Sequence, residues 1–242
     1  MVTDIKSNYT SPAGKEYTLV AGRFAGISPA SNVLDIGCGY GDGVCNIVSE
    51  FRCKATAIDI NKDNVEIAQK AAVQRKISHL ITFLTGDIIE EKSIAQKNFD
   101  LILAEGGVLT MLDRQKSIDL IRNYLNSRGW LAFSDLILLE SEENIPAEIL
   151  NIYDNARFNY ENESGYRKLF KSAGFDIHLM TLVPQSGWDN YYAHMSRRLE
   201  DQTGFFADVQ VKKFFHKEMD IFYRQEGFKH IGYLFGLVRK ID

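Results

Sequence analysis

The sequence feature that most constrains the fold is a short apolar run that leads straight into a glycine-rich turn. Asn32–Ile36 is predicted to be a strand, and Asp42–Phe51 is predicted to be a helix. Between them, Gly37, Gly39 and Gly41 stand at alternate positions. Glycine is needed where the backbone takes a positive φ or must lie close to a ligand. A strand, a glycine turn and a helix in this order are typical of open α/β sheets, which bind ligands at the carboxyl ends of their strands.

Strands and helices alternate through the first half of the chain. Further runs rich in apolar and β-branched residues are predicted to be strands: Ala55–Ile58, His79–Leu84, Phe99–Leu103 and Trp130–Leu139. Helical periodicity predicts helices over Glu16–Ile27, Asp63–Lys76 and Arg114–Leu125. This alternation predicts a doubly wound α/β fold, in which crossover helices connect mostly parallel strands.

The second half of the chain departs from this alternation. Pro146–Arg157 and Ser164–Ala173 are predicted to be helices, and Phe175–Leu182 and Gly232–Arg239 are predicted to be the last two strands. Between these strands lies Trp188–Gly227, an aromatic-rich and largely helical insertion. We expect a single domain over residues 1–242, with residues 1–30 as an N-terminal helical cap. Residues 188–227 are expected to cover the site or to form a homodimer interface, and the sequence leaves both options open.

Composition excludes whole classes of partner. The formal net charge is -4, so the chain lacks the strongly basic balance that binding to a phosphate backbone requires. Its apolar runs are too short to span a membrane, and no export signal is recognisable at the N-terminus. We therefore expect a cytoplasmic protein with no nucleic-acid or membrane partner. The three cysteines and five histidines show no metal-binding spacing, so no metal site is predicted.

The residues around the glycine turn select the kind of ligand. A dinucleotide-binding turn requires a third glycine at position 42, where this chain has Asp42. Asp35 stands just before the turn, and its carboxylate would repel a pyrophosphate. A cofactor with a cationic ammonium and sulfonium and no phosphate suits these charges better. S-adenosylmethionine is such a cofactor.

Acidic residues at the ends of later strands extend this prediction. Asp59 ends the second strand, where an ionised carboxylate can accept hydrogen bonds from a ribose diol. Asp87 follows the third strand and can accept from an adenine amino group, while Ile88 packs on the ring. Glu105 follows the fourth strand and is the first candidate for contact with the methionine ammonium or for catalysis; its alternative role is to order the turn. The predicted cofactor-binding residues are Asp35, Gly37, Cys38, Gly39, Gly41, Asp59, Ile60, Gly86, Asp87, Ile88 and Glu105.

Aromatic residues are the candidates for the acceptor pocket. Their rings can bind a cationic substrate or sulfonium by cation–π attraction, and packing within the insertion is the alternative role. The predicted substrate-binding residues are Tyr9, Tyr17, Trp188, Tyr191 and Tyr192.

These motifs resemble those of the class I S-adenosylmethionine-dependent methyltransferases. The resemblance covers Ser31–Leu139 through VLDIGCGYG, AIDI, TGDI, FDLILAEGG and YLNSRGWLAFSD. It implies a Rossmann-like sheet of seven strands with the last strand antiparallel, which agrees with the two predicted final strands. A narrower resemblance, through Glu105-Gly106 and Gly232-Tyr233-Leu234-Phe235, is to a bacterial and archaeal group of small-molecule type. The D/N-P-P-Y/F motif of enzymes that methylate nucleic-acid bases is replaced by Ala104-Glu105-Gly106-Gly107.

The resulting functional prediction is methyl transfer from S-adenosylmethionine to a small-molecule acceptor. Whether the accepting atom is N, O, S or C stays open. A non-catalytic protein that binds S-adenosylmethionine is one alternative, because methyl transfer needs no unmistakable catalytic residue. An NAD(P)-dependent oxidoreductase is a second alternative, which Asp35 and Asp42 disfavour.

Overall fold

The computed structural model describes residues 11–94, 98–154, 159, 161–200 and 208–242. Within these ranges the strands are β1 (Asn32–Ile36), β2 (Lys54–Asp59), β3 (Ile81–Thr85), β4 (Phe99–Ala104), β5 (Leu125–Leu138), β6 (Phe175–Leu182) and β7 (Ile231–Lys240). The helices are α1 (Gly14–Phe24), α2 (Asp42–Phe51), α3 (Lys62–Gln74), α4 (Val108–Met111), α5 (Arg114–Tyr124), α6 (Ala147–Asp154), α7 (Glu163–Ser172), α8 (Gln185–Arg198) and α9 (Val209–Arg224).

The strands of the described ranges form one seven-stranded sheet in the order β3-β2-β1-β4-β5-β7-β6. The five strands β1 to β5 pair in parallel, whereas β7 runs antiparallel to both β5 and β6. Strand order reverses next to β1, so the carboxyl ends of β1 and β4 flank a crevice where ligands can bind. The predicted doubly wound α/β fold is confirmed.

Both faces of the sheet are buried, and β4 shows how its sequence allows this. Leu101 and Leu103 point into the core on the face that α2 covers, and Ile102 and Ala104 point into the core on the other face. Each of these four side chains is fully buried. Successive side chains of a strand point to opposite faces, so a continuous apolar run is what a strand between two helical layers requires.

The segment between the last two strands consists of α8 and α9, with residues 201–207 outside the described ranges. Its first helix begins at Gln185, three residues before the predicted Trp188. The rings of Trp188 and Phe222 lie 4.4 Å apart, and the Tyr223 hydroxyl donates a hydrogen bond of 2.6 Å to Asp189. These contacts hold the two helices together. Trp188 and Phe222 belong to the same core cluster as the side chains of α2, so the segment shares a hydrophobic core with the sheet.

Element boundaries differ from the prediction where turn-type residues lie inside a strand. β5 begins at Leu125 instead of Trp130, and its pairing with β4 shifts register between Phe99 and Leu101. Arg128 takes a φ of 58° there. Arg128-Gly129 therefore forms an irregularity within the strand, where the sequence suggested a break before it.

Three smaller differences concern helices. α1 spans Gly14–Phe24 instead of Glu16–Ile27, and the short helix α4 was not predicted. The helix predicted over Pro146–Arg157 is described as far as Asp154, and residues 155–158 lie outside the described ranges. In the part of the chain that the structure describes, none of the helices has both the length and the apolar character needed to cross a membrane.

Candidate functional site

The glycine turn connects β1 to α2, and its positions require glycine for two different structural reasons. Gly37, Gly39 and Gly41 all have positive φ, at 66°, 52° and 84°. A Cβ on Gly41 would lie 2.7 Å from the Cβ of Ala68 on α3, so Gly41 is required for packing. A Cβ on Gly39 would meet no described atom within 4 Å. Gly39 therefore faces open space, as expected of a backbone that a ligand approaches closely.

Asp35 connects the end of β1 to the start of α2. Its Oδ2 accepts a hydrogen bond of 2.9 Å from the backbone N–H of Val44 in the first turn of α2, where Gly41 supplies no side-chain cap. Asp35 thus caps the helix from a distant position. Burial raises the pKa of Asp35 well above its ordinary value, and the nearby Glu105 raises it further. The structure therefore gives Asp35 a structural role beside its predicted contact with a cationic cofactor.

Glu105 follows β4 and lies beside Asp35. Its Oε2 accepts a hydrogen bond of 2.8 Å from the Thr18 hydroxyl of α1, and its Oε1 is buried with no hydrogen-bond partner among the described residues. Burial raises the pKa of Glu105 to about 7. A Cβ on Gly43 would lie 3.0 Å from Asp35 Oδ2 and 3.5 Å from Glu105 Oε2, so both carboxylates converge on one point of α2.

Two converging carboxylates with raised pKa values indicate a site for a cation. Each group resists ionisation because its charge is poorly solvated and faces another negative charge. A small cavity of about 50 Å³ lies against them, lined also by Gly37, Gly39 and Gly106. A bound ammonium group would stabilise both ionised carboxylates and offset the repulsion between them, whereas a phosphate would add further negative charge. The residues present therefore fit the methionine end of S-adenosylmethionine.

Asp59 ties the end of β2 to the glycine turn. Its Oδ2 accepts from the N–H of Gly39 at 2.8 Å, and its Oδ1 accepts from the N–H of Asn61 at 2.8 Å. The side chain is 8% exposed. Its Oδ1 also accepts from the Asn64 side-chain amide at 3.3 Å. An ionised carboxylate has about four lone-pair positions, so these three bonds leave about one position for the predicted ribose contact.

The remaining residues of the predicted adenosine site occupy different environments. Ile60 is 75% exposed at the end of β2, where its apolar side chain can cover a ring. Asp87 accepts a hydrogen bond from the N–H of Ile89, and the N–H of Gly86 donates to the carbonyl of Asp59. Ile88 is buried in the core with the side chains of β1 and β4 and does not line the small cavity. Ile60 does not line that cavity either, so the adenine contacts predicted for both isoleucines stay predictions.

The cysteines have packing roles. Cys38, Cys45 and Cys53 are buried free thiols, and burial raises the pKa of each. Cys38 also lines the small cavity, as its predicted cofactor contact requires. Across the described ranges, no group of His, Cys, Asp and Glu is placed to hold a metal ion.

A larger cavity of about 340 Å³ lies between the glycine turn and helices α8 and α9. It begins at Gly39 and Gly106, so it adjoins the small cavity. Most of its walls are aromatic or apolar, and the buried Glu218 of α9 is also part of them. The aromatic and methionine side chains that line it are Tyr40, Met111, Trp188, Tyr191, Met195, Phe214, Phe215 and Tyr233.

The structure divides the predicted substrate-binding residues. Trp188 and Tyr191 line the larger cavity. Tyr192 is 2% exposed, packs against Trp188 and Phe222, and is not among the lining residues. Tyr17 packs on Phe235 with ring centroids 4.8 Å apart and lies outside this cavity. Tyr9 lies outside the described residues.

Sequence reasoning missed Thr18, Gly43, Tyr40 and Glu218. Only Glu218 left a recognisable signal, because it stands on the apolar face of α9 between Phe215 and Phe222, three and four residues away. An acid in an apolar helical stripe is expensive to bury and calls for a partner. The other three depend on how α1 and α2 pack against the ends of the strands.

Comparison with known proteins agrees with this geometry. The family described as a methyltransferase domain matches residues 27–199. A phosphoethanolamine N-methyltransferase of Triticum aestivum is 23% identical over 205 residues, which cover 83% of this chain and 39% of that protein. The chain thus spans well under half of the length of this relative.

Solved structures share the fold. A methyltransferase of Geobacter sulfurreducens in complex with S-adenosyl-L-homocysteine superposes with a TM-score of 0.74 at 19% identity, covering 96% of this chain and 93% of that one. A phosphoethanolamine N-methyltransferase of Haemonchus contortus in complex with S-adenosyl-L-methionine gives a TM-score of 0.78 at 18% identity, covering 97% of this chain and 54% of that one. Since the family match spans well over half of its length, this chain belongs to the methyltransferase domain family, which confirms the resemblance to class I S-adenosylmethionine-dependent methyltransferases.

Proposed function

We propose that this chain binds S-adenosylmethionine at the glycine turn and transfers its methyl group to a small molecule held in the larger cavity. One observation carries the proposal: Asp35 and Glu105 converge beside the open face of Gly39, and both have raised pKa values. This is a site for a cation that also requires close approach to the backbone. Family membership and the cofactors named for the structural neighbours support the same cofactor.

Each part of the cofactor has candidate residues at the carboxyl edge of the sheet. Glu105 and Asp35 would hold the methionine ammonium, and Asp59 the ribose diol. Asp87 and Ile60 would hold the adenine. Glu105 lines the small cavity and not the larger one, so we assign it to the cofactor and not to a general base.

The bound cofactor supplies a methyl group on an activated sulfonium leaving group. The task left to the protein is to hold the acceptor in line and to exclude water, which is the orientation effect. Helices α8 and α9 suit this task because they close the larger cavity with aromatic walls. At about 340 Å³, that cavity lies at the small end of ligand pockets and so favours a small acceptor. A cytoplasmic location, a homodimer and the lack of a nucleic-acid partner stay predictions.

Thermal denaturation with S-adenosylhomocysteine tests the proposal. A ligand present at about 100 times its dissociation constant stabilises the folded state by roughly 2.7 kcal/mol, so we expect a clear rise in Tm. Asp59→Asn should reduce that rise, because the amide accepts hydrogen bonds at only one of its two positions. Asp63→Asn, which changes an exposed acid in the first turn of α3, is the matched control and should keep the full rise.

Two further measurements separate the alternatives. NAD should give no rise in Tm, and a rise with NAD but not with S-adenosylhomocysteine would support an oxidoreductase instead. Turnover of labelled S-adenosylmethionine with a panel of small acceptors distinguishes an enzyme from a non-catalytic binding protein.

A further inference from the structure

The Thr18 side chain of α1 reaches an acid at the cofactor end of the sheet. Thr18 is fully buried, and its hydroxyl donates a hydrogen bond of 2.8 Å to Oε2 of Glu105. The carbonyl oxygen of Gly14, one helical turn earlier, lies 3.4 Å from the same hydroxyl. A threonine hydroxyl has one proton to donate, so the shorter contact, to Glu105, is the stronger one. The N-terminal helix therefore restrains an acid that follows β4.

The two carboxylate oxygens of Glu105 have different surroundings. Oε2 accepts the hydrogen bond from Thr18, whereas Oε1 is buried with no hydrogen-bond partner among the described residues. A buried oxygen without a partner is costly, so Oε1 calls for a donor that a ligand supplies. Glu105 lines the small cavity of about 50 Å³ beside the glycine turn. A donor bound in that cavity is the candidate partner for Oε1.

A hydroxyl suits the position of Thr18 because it can bond to both ionisation states of the acid. It donates to the carboxylate, and it can instead accept from the protonated acid while its own proton turns to the carbonyl of Gly14. Burial raises the pKa of Glu105 to about 7, and the hydrogen bond from Thr18 opposes this rise. Thr18 thus favours the ionised form of Glu105, which is the form that pairs with an ammonium group.

Other titratable side chains lie around Glu105 on the neighbouring elements. Those that line the small cavity with it are Asp35 of β1, Cys38 of the glycine turn and Asp42 of α2. The charge of Glu105 also contributes to raising the pKa of the Tyr233 phenol of β7, for which burial is the largest cause. None of these described groups is a cation. The hydrogen bond from Thr18 is therefore the contact that stabilises the ionised acid before a ligand binds.

We propose that Thr18 is a positioning residue for the cofactor: its hydroxyl holds Oε2 of Glu105, which leaves Oε1 for the methionine ammonium and favours the ionised acid. The inference rests on the proposed function, since it adds a residue to the same cofactor site. Thr18 does not line the small cavity itself, so it acts through Glu105. Recognition of the ammonium thus depends on a side chain that lies 87 residues from its partner in the sequence.

Calorimetry with two ligands at a series of pH values tests the inference. S-adenosylhomocysteine carries an amino-acid ammonium that stays protonated from about pH 6 to about pH 8, whereas methylthioadenosine shares its adenosine and thioether but lacks that group. Because the pKa of Glu105 is about 7, we expect the affinity of the wild-type protein for S-adenosylhomocysteine to rise roughly ten-fold over this range. Affinity for methylthioadenosine should stay constant within two-fold. Equal pH profiles for the two ligands would overturn the inference without any variant.

Thr18→Val then tests the hydroxyl, because it keeps the branched shape of the side chain. We expect this variant to bind S-adenosylhomocysteine at least five-fold more weakly at pH 7 and its pH profile to move to higher pH, since Glu105 then ionises less readily. Thr18→Ala also lacks the hydroxyl and should behave in the same way. Thr18→Ser restores the hydroxyl and should stay within two-fold of the wild-type protein. Methylthioadenosine should bind all four proteins equally, which verifies that each variant folds.

Glu105→Gln separates the contribution of this acid from that of Asp35. In the Glu105→Gln background, Thr18→Val should change the affinity for S-adenosylhomocysteine by less than two-fold, because the hydroxyl no longer has an ionised partner. An equal loss in both backgrounds shows that Thr18 acts through packing, and it overturns the inference. Wild-type affinity in Thr18→Val at pH 7 overturns it as well. Failure of the wild-type protein to bind either ligand overturns the proposed function, and the inference with it.

Discussion

At the scale of single residues, two glycines of the turn look equivalent in the sequence but meet different structural requirements. Gly39 and Gly41 both have positive φ, which costs a residue with a side chain roughly 1–2 kcal/mol. Only Gly41 also faces a packed neighbour, since a Cβ there would overlap Ala68. Gly41 is therefore required for packing, whereas the open space beside Gly39 fits its proposed role in ligand approach.

Alanine at each of these two positions should give different phenotypes. Gly39→Ala should cost about 1 kcal/mol of stability but weaken S-adenosylhomocysteine binding at least ten-fold, because the new methyl group projects into open space at the site. Gly41→Ala should cost more stability, since it adds a steric clash to the same backbone strain. Urea unfolding and calorimetry measure the two quantities. Unchanged affinity in a folded Gly39→Ala protein would contradict the assigned site.

The ionisation of Glu105 makes the stability of the protein depend on pH, and its pKa determines whether stability rises or falls with pH. The pKa of this carboxyl rises from an ordinary 4.5 to about 7 on folding, so the folded chain binds the proton more tightly than the unfolded chain. Its contribution to stability is therefore present below about pH 4.5 and is lost as the pH rises toward 7. Asp35 acts in the same direction, because its pKa is raised as well.

The ligand-free protein should accordingly lose stability between about pH 4.5 and 7, by an amount on the order of 3 kcal/mol from Glu105. Glu105→Gln should remove that part of the loss and should be more stable than the wild-type protein at pH 8. Urea unfolding at a series of pH values measures both effects. A variant with the wild-type pH profile would show that Glu105 ionises normally.

At the scale of elements, a buried polar network joins β5 to α4 and α7. Asp135 of β5 accepts hydrogen bonds of 2.6 Å from both the Thr110 hydroxyl and the Tyr166 hydroxyl. Arg114 of α5 lies over the ring of Tyr166, with its guanidinium carbon 5.0 Å from the centroid. Asp135 is fully buried and lines neither the small nor the larger cavity, so we assign it a structural role.

Removal of one side-chain group from this hydrogen-bond network should lower the free energy of unfolding and leave ligand binding intact. Tyr166→Phe leaves an oxygen of Asp135 buried without its partner, which should cost about 1–3 kcal/mol. Affinity for S-adenosylhomocysteine should stay within two-fold of the wild-type value. Urea unfolding and calorimetry test the two halves of this prediction, and a large loss of affinity at unchanged stability would place Asp135 in the site itself.

At the scale of the whole molecule, a segment late in the sequence packs at the edge of the sheet where the glycine turn lies. α8 and α9 lie between β6 and β7 in the sequence, yet they line the cavity that begins at the turn after β1. The aromatic contacts of Trp188 with Phe222 and Tyr233 connect these helices to each other and to β7. This arrangement favours a cover over the site as the role of the segment.

Amide hydrogen exchange should show this coupling. S-adenosylhomocysteine together with an acceptor that fits the cavity should slow exchange in residues 185–198 and 209–224, because a ligand there contacts both helices and the glycine turn. Strand β6, at the far edge of the sheet, serves as the internal reference and should exchange at an unchanged rate. Protection confined to the glycine turn would indicate that α8 and α9 do not close over the ligand.

Local sequence patterns predicted most of the fold and part of the candidate site. Each strand of the sheet was predicted within a few residues, except that β5 begins earlier because Arg128-Gly129 is accommodated inside it. Asp35, Gly37 and Gly39 could be proposed for the site because the sequence places them close together at the end of a predicted strand. Tyr192 was assigned to the acceptor pocket, but the structure buries it behind Trp188, since aromatic spacing does not say which ring of a helix faces a cavity.

The sequence by itself determined the α/β sheet, the glycine turn and the acids at the ends of the strands, because strand periodicity and positive φ are properties of neighbouring residues. The tertiary structure alone decided that Thr18 bonds to Glu105, 87 residues away, and that Glu218 and Gly39 line the same cavity. Such pairings arise from helix packing over long sequence separations, which no local pattern encodes.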